Sequence, residues 1–414
     1  MNLIKIGRAL LLLVIAAVAA IVVPYYYWLA FDVRIPITGA RYSPVTDKLI
    51  LTRATEKETK YVDVDGKSYT RDEFERLTPL LNYRQLAMAG TMPETLRGVP
   101  IDVKEVALNN LLVRGVPEYL DVPQIPLFPM LESQSGRAKL EMPDEFFRIG
   151  QRMEFLDAKT NRVNEERSVL FTQALQETGF AFPAKHIDGN PTTRKAFDEG
   201  YFVVDAADHL FHIKQVKGRP YCASIKTPDD LRIRYMIIQE FALREFYGII
   251  IAEDGRVYLI SYSGYKLIAL PIPAYDPSTT TLMVQGDFFF RTISLTSPGN
   301  LNVTVTDRNY NVVDSYKESW PTKFERPPGI IASYLFPFTV SLSDWSSSFL
   351  NLYVRCSHWA GLVGIALSLV IILTIWFVRK KKIATRWFDL LVVAGTGVFG
   401  LIAVLLIGGV DDSV

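Results

Sequence analysis

The chain has 414 residues, enough for more than one domain, and 49% of them are hydrophobic. Its 45 lysines and arginines balance 44 acidic residues, leaving no strongly basic face and arguing against nucleic acid as a partner. Two cysteines, Cys222 and Cys356, are too few for a disulfide scaffold or a cysteine-rich zinc site.

Residues 1–31 read as an N-terminal transmembrane anchor. Ala9 to Phe31 carries no charge, and its 23 residues, at about 1.5 Å each, exceed a hydrocarbon core of roughly 30 Å. Tyr25, Tyr26, Tyr27 and Trp28 close the run with rings suited to the headgroup layer. Ala17-Val18-Ala19 is also a passable cleavage pattern, so a removed signal peptide competes with a retained anchor.

Residues 32–355 read as one mainly β domain with Pro-rich and helical insertions around 70–145. Asp65-Gly66 suits a tight hairpin turn, and Thr70-Arg71-Asp72-Glu73 is a capping box opening a helix. A calcium loop there fails its ligand count, because Tyr61 and Asp72 would fall where an EF-hand needs Asp and a bidentate Glu. From Met88 to Asp144 seven prolines forbid long helices and central strands. A short helix is expected from Glu166 to Thr178, stopped at Gly179.

A weak internal repeat follows. Phe202 to Ile213 and Ile249 to Ile260 align without gaps at an offset of 47 residues, each an apolar strand, a polar turn and an apolar strand. Phe155 to Val163 lies 94 residues before the second copy, twice that offset. Hairpins on such a period are the pattern of propeller blades, which predicts an extracytoplasmic β-propeller-like domain. Looser hairpins at Thr46 to Leu51 and Val303 to Asp314 extend the array.

Two further apolar runs predict transmembrane helices at 356–378 and 389–410, with a basic loop at 379–388 and a tail at 411–414. Arg379-Lys380-Lys381-Lys382, with Arg386, marks that loop as cytoplasmic, and Lys5 with Arg8 puts the N-terminus there too. The expected location is therefore the cytoplasmic (inner) membrane, with the large domain and the C-terminal tail outside. Asp389 and His358 fall at span edges, where water reaches them, so no ion pathway is indicated. Ala360, Gly364 and Ser368 recur on one helix face, as do Thr396 and Gly400. Such small residues either pack the helix pair on itself or dock a membrane partner.

Chemical signatures are sparse. His209 and His212 are three apart on an expected strand, pointing to opposite faces, which rules out joint metal binding and reads them as solvated. Neither a Gly-rich loop ending in Gly-Lys-Ser or Gly-Lys-Thr nor a Gly-x-Ser-x-Gly elbow occurs. No enzyme activity, cofactor or metal is expected. The turn-rich stretch Gly189 to Lys195 precedes a strong strand, so Asn190, Thr192, Arg194 and Lys195 should stand on a rim loop. Either Arg194 and Lys195 form an anion-accepting corner for a partner, or Asn190 and Thr192 cap a turn and Arg194 pairs locally with Asp198 or Glu199.

Tyr42-Ser43-Pro44-Val45, Phe128 to Ser133, Lys139 to Asp144 and Gly189 to Lys195, running on through Phe197 to Asp205, resemble an uncharacterised bacterial membrane-anchored family. The resemblance covers nearly the whole chain and carries no catalytic residue. It implies an accessory role beside a separate ATP-binding-cassette (ABC) ATPase and permease. The expected function is a membrane-tethered extracytoplasmic binding or scaffold subunit, with a stand-alone envelope hydrolase or ligand sensor as the alternative.

Overall fold

The computed structural model describes residues 3–31, 35, 37–55, 57–120, 125–136, 139–342, 352–381 and 386–407. Asp32, Arg34, Lys382 and the tail from 408 to 414 lie outside the described residues. The chain forms two units, Ile37–Ser319 and the joined ends Met1–Pro36 with Trp320–Val414.

The unit Ile37–Ser319 is mainly β and is built from small antiparallel sheets, each a meander in chain order. Sheet I has strands Ile37–Ser43, Lys48–Ala54, Thr59–Asp63 and Ser68–Tyr69. Sheet II has Phe128–Pro129, Glu145–Ile149, Met153–Asp157 and Val163–Asn164. Sheet III has His186–Gly189, Tyr201–Val204, Leu210–Val216 and Arg219–Ile225. Sheet IV has Ile233–Ile238, Phe246–Ala252, Val257–Ser261 and Leu267–Ala269. Sheet V has Thr281–Gly286, Phe290–Ser297, Asn300–Asp307 and Val312–Ser319, and Leu111–Gly115 pairs beside its first strand.

Side-chain alternation explains how the sheets stack. In strand Phe246–Ala252 every residue is buried, because Phe246, Ile249 and Ile251 enter one apolar cluster while Tyr247, Ile250 and Ala252 enter another. The first cluster continues into sheet V through Leu282, Val284 and Ile293, and the second into sheet III through Phe202, Val204 and Leu210. Sheet III buries its other face, with Val203, Phe211 and Ile213, against Phe147 and Phe155 of sheet II. Strand Ile37–Ser43 packs on Phe290–Ser297 and Asn300–Asp307, and Tyr42 meets the Phe290 ring edge-on at 4.7 Å. These packings order the sheets II, III, IV, V, I. Each fully buried Ile or Phe contributes about 1.5–3 kcal/mol, so a strand apolar on both faces is what such a stack demands.

The two strongest repeat copies fall on equivalent places. Phe202 to Ile213 spans the second and third strands of sheet III, and Ile249 to Ile260 those of sheet IV. Phe155 to Val163 does not match them, because it spans the third and fourth strands of sheet II. Its resemblance comes from Asp157, whose carboxylate accepts the N–H groups of Lys159 and Thr160, a turn device that any hairpin can use. The strand that the Pro-rich stretch adds to sheet V, Leu111–Gly115, lies between Pro100 and Pro117 and sits at the sheet edge rather than its centre.

The local helix signals hold. Thr70 caps Arg71–Leu77 with both halves of the capping box formed, and helix Glu165–Glu177 begins at Asn164, whose side chain accepts from the Arg167 N–H. The Asp65-Gly66 turn is organised by Asp63, whose carboxylate accepts from the N–H groups of Asp65 and Lys67 and from the Tyr69 hydroxyl.

In the other unit, two helices, Ile6–Ala30 and Trp359–Val378, are long and apolar enough to cross a membrane. The third run differs from its expectation as a single continuous span. It forms two ten-residue helices, Trp387–Thr396 and Val398–Ile407. Gly397 between them has φ +60°, which L side chains rarely adopt. The chain reverses there, since a Cβ on Gly400 would lie 2.7 Å from the Val392 carbonyl oxygen, an approach that no straight helix allows across eight residues. The second arm packs along helix Leu3–Ala30. Asp389 is not at a wet edge: it is fully buried and accepts two hydrogen bonds from Arg8, at 2.8 and 2.7 Å, with Arg386 3.7 Å away.

Candidate functional site

The loops between the first and second strands of sheets III and IV carry a connected polar cluster. The loop 190–200 leads from the first to the second strand of sheet III, and the loop 239–245 does the same in sheet IV. Lys195 turns inward. Its ammonium donates to Asp198 Oδ1 and Glu240 Oε1, both at 2.5 Å, and to the Asn190 carbonyl oxygen at 2.6 Å. Asn190 Nδ2 adds a 2.8 Å bond to Glu240 Oε2. Burial pushes the Asp198 carboxyl up, and the adjacent Lys195 ammonium opposes that shift.

The four sequence-derived loop residues therefore separate. Lys195 and Asn190 belong to a buried ion-pair network, and Thr192 Oγ1 accepts from the Arg194 N–H at 3.2 Å to shape the turn. Arg194 alone is solvent-exposed. The anion-accepting corner drawn from Arg194 with Lys195 is not formed, because two carboxylates already neutralise Lys195.

A second network adjoins the first. His212 is fully buried rather than solvated, with its ring stacked on Phe202 at 4.5 Å. Its Nε2 donates to the Glu199 carbonyl oxygen, an acceptor only, so Nδ1 must accept from the Tyr265 hydroxyl at 2.7 Å. Tyr265 in turn lies 3.0 Å from the Tyr221 hydroxyl. Burial lowers the His212 pKa to about 3, so the ring is neutral at physiological pH. Glu199 pairs with Lys214 at 2.6 Å, and Tyr247 stacks on Tyr262 at 3.8 Å. His209, in the preceding turn, is exposed and 3.5 Å from Asp205.

On the far side of the same loop, Glu245 receives Arg291 through two nitrogens, at 3.1 and 2.5 Å, and the Tyr310 hydroxyl at 2.6 Å. Arg291 is fully buried and also donates to the carbonyl oxygens of Asp287 and Phe290. Loop 239–245 thus ties sheet IV to sheet III through Glu240 and to sheet V through Glu245. At the edge of these networks Arg194, Tyr221 and Arg244 are exposed and Tyr265 is half-buried, with Arg244 stacked over the Phe197 ring at 4.1 Å. Arginine and tyrosine at the edge of a rigid scaffold are the residue types that anchor protein interfaces. Sequence reasoning missed the tyrosines. The signal was present in Tyr247, Tyr262 and Tyr265 flanking the strongest hairpin, although only the tertiary stack brings them to His212.

Among the described residues, no group of three or more His, Cys, Asp or Glu side chains is placed to hold a metal ion. Cys222 and Cys356 are both free thiols.

The helix-packing candidates have clear neighbours. Ala360 and Ser368 are buried, and a Cβ on Gly364 would lie 2.2 Å from the Tyr334 carbonyl oxygen, so this face lies against helix Pro327–Leu335. Thr396 and Gly400 meet across the Gly397 reversal, where a Gly400 Cβ would come within 2.5 Å of Thr396 Oγ1.

Stacked small β sheets joined to apolar helices of membrane-crossing length define the class of protein. The chain belongs to the family described as Domain of unknown function (DUF4857), which matches residues 39–306. No curated protein matches the sequence. Among solved structures, the β-propeller domain of Myceliophteria thermophila Cps50 (Swd1) is similar over 78% of this chain and 98% of that one, at 8% identity and a TM-score of 0.23. That TM-score is too low to assign a shared topology, and the fold rests on the sheet order above.

Proposed function

We propose that this protein is a membrane-tethered binding or scaffold subunit whose β unit, a propeller-like stack, recognises a partner outside the cytoplasmic membrane. One observation carries the reading. Leu10, Leu11, Leu13, Val14, Val18 and Val22 stand exposed on the N-terminal helix, and Leu362, Leu367, Val370 and Ile371 on the second, an apolar surface that water does not tolerate but lipid does.

The orientation follows from Lys5 with Arg8 and from the basic loop after Val378, which favour the cytoplasmic side. The Arg8–Asp389 pair supports it by holding the starts of the first and third helical segments at one level. Because the chain reverses at Gly397, the third run enters and leaves on that same side. Helix Val398–Ile407 then runs back toward the cytoplasmic side, in contrast to the third crossing expected from the sequence.

The accessory role beside an ABC ATPase and permease is supported by the sequence resemblance alone. Copurification in mild detergent tests it. A specific ATPase and permease in the eluate supports the accessory role, and a lone protein with hydrolytic activity supports the envelope-enzyme alternative.

A further inference from the structure

We propose that the cavity at the outer ends of the two membrane-length helices binds the headgroup of an aminophospholipid, with its phosphate on Arg355 and its ammonium toward Glu325. The proposal rests on the membrane-tethered reading above, and its observations are separate.

The cavity has a volume of about 410 Å³, within the roughly 300–1,000 Å³ typical of small-molecule sites. Trp28, two residues before the end of helix Leu3–Ala30, and Trp359, the second residue of helix His358–Val378, both line it. Indoles at helix ends occupy the headgroup layer, so this cavity opens at the depth where lipid phosphates lie. Its lining grades from apolar to polar. Trp359 and Ile330 are 67% and 46% exposed, a surface suited to acyl chains, while Thr322, Ser333 and Ser357 bring hydroxyl groups.

Arg355 supplies the charge. Its guanidinium lies 3.1 Å from the centre of the Phe324 ring, and among the described residues no carboxylate pairs with it. Stacking fixes the plane of the guanidinium and leaves its N–H edges for an oxyanion, the geometry in which arginine binds phosphate. Glu325 gives the same cavity a negative end. It already accepts from the Thr322 N–H and hydroxyl, at 2.8 and 3.0 Å, which holds it ionised. A headgroup with both an anionic phosphate and a cationic amine matches this pair better than a purely anionic one.

Cys356 lines the cavity and reports on its occupancy. Burial pushes the other thiol, Cys222, up to about 12, and a Cys222→Ser background removes it altogether. The full-length protein in detergent micelles is labelled with a maleimide, with and without phosphatidylethanolamine. At a lipid concentration of about ten times the dissociation constant, labelling slows about tenfold. Arg355→Gln abolishes that protection, read for each variant as the ratio of its own rates with and without lipid, and Arg355→Lys retains part of it. Equal protection by water-soluble phosphoethanolamine overturns the lipid assignment. Wild-type labelling unchanged by the lipid overturns the site itself. Failure of the tether reading is distinguishable, because the protein would then leave the membrane fraction without detergent.

Discussion

Lys195 shows how far a residue type can mislead when its neighbours are unknown. In sequence it stands beside Arg194 as a second cation, yet its side chain is 7% exposed and bonded to Asp198 and Glu240. Removing it leaves two buried carboxylates unneutralised, so Lys195→Ala should cost about 3–5 kcal/mol. Arg194→Ala should change stability by less than about 0.5 kcal/mol. Thermal unfolding of the two variants in detergent checks the pair, and equal melting temperatures would refute the assignment of Lys195 to the interior. His212 gives a pH dependence. Its folded pKa of about 3 lies below the unfolded value of about 6.5, so between those limits the unfolded chain binds the extra proton. Stability should therefore fall as pH drops from about 6.5 toward 3, with a limiting slope of about 1.4 kcal/mol per pH unit. His212→Gln should flatten that part of the urea-denaturation profile relative to wild type. Neither environment was legible in the sequence, because Tyr265 and Glu240 reach these residues only through the packing of sheet IV on sheet III.

Elements were read best where the signal is local. The capping box at Thr70, the helix at Glu165–Glu177 and the paired hairpins of sheets III and IV each follow from residues within a few positions of one another. The third copy of the repeat was misassigned because an apolar–Asp–apolar pattern does not say which hairpin of a sheet it forms. The third apolar run was misread for a related reason: composition is blind to direction, and one glycine reverses the chain. Gly400 makes this testable, since a side chain there must displace Val392 and Thr396. Overpacking a tight contact costs about 1–3 kcal/mol, so Gly400→Leu should lower the detergent-resistant melting temperature, whereas exposed Leu406→Ala should leave it nearly unchanged. Identical melting of the two would contradict the hairpin.

At the scale of the whole molecule, two chain ends joined in one unit carry a β unit between them. The sequence made the division legible through its terminal apolar runs and central hairpins, but not the break of the third run at Gly397. The proposed topology has the β unit outside the membrane and the helix Val398–Ile407 returning toward the cytoplasmic side. Single cysteines at Lys67, Lys381 and Asp412, in a background lacking Cys222 and Cys356, separate these possibilities in intact spheroplasts treated with a membrane-impermeant thiol reagent. The tethered, re-entrant arrangement predicts labelling at Lys67→Cys and protection at both Lys381→Cys and Asp412→Cys. Labelling at Asp412→Cys would contradict the re-entrant hairpin, and protection at Lys67→Cys would contradict the outside location of the β unit.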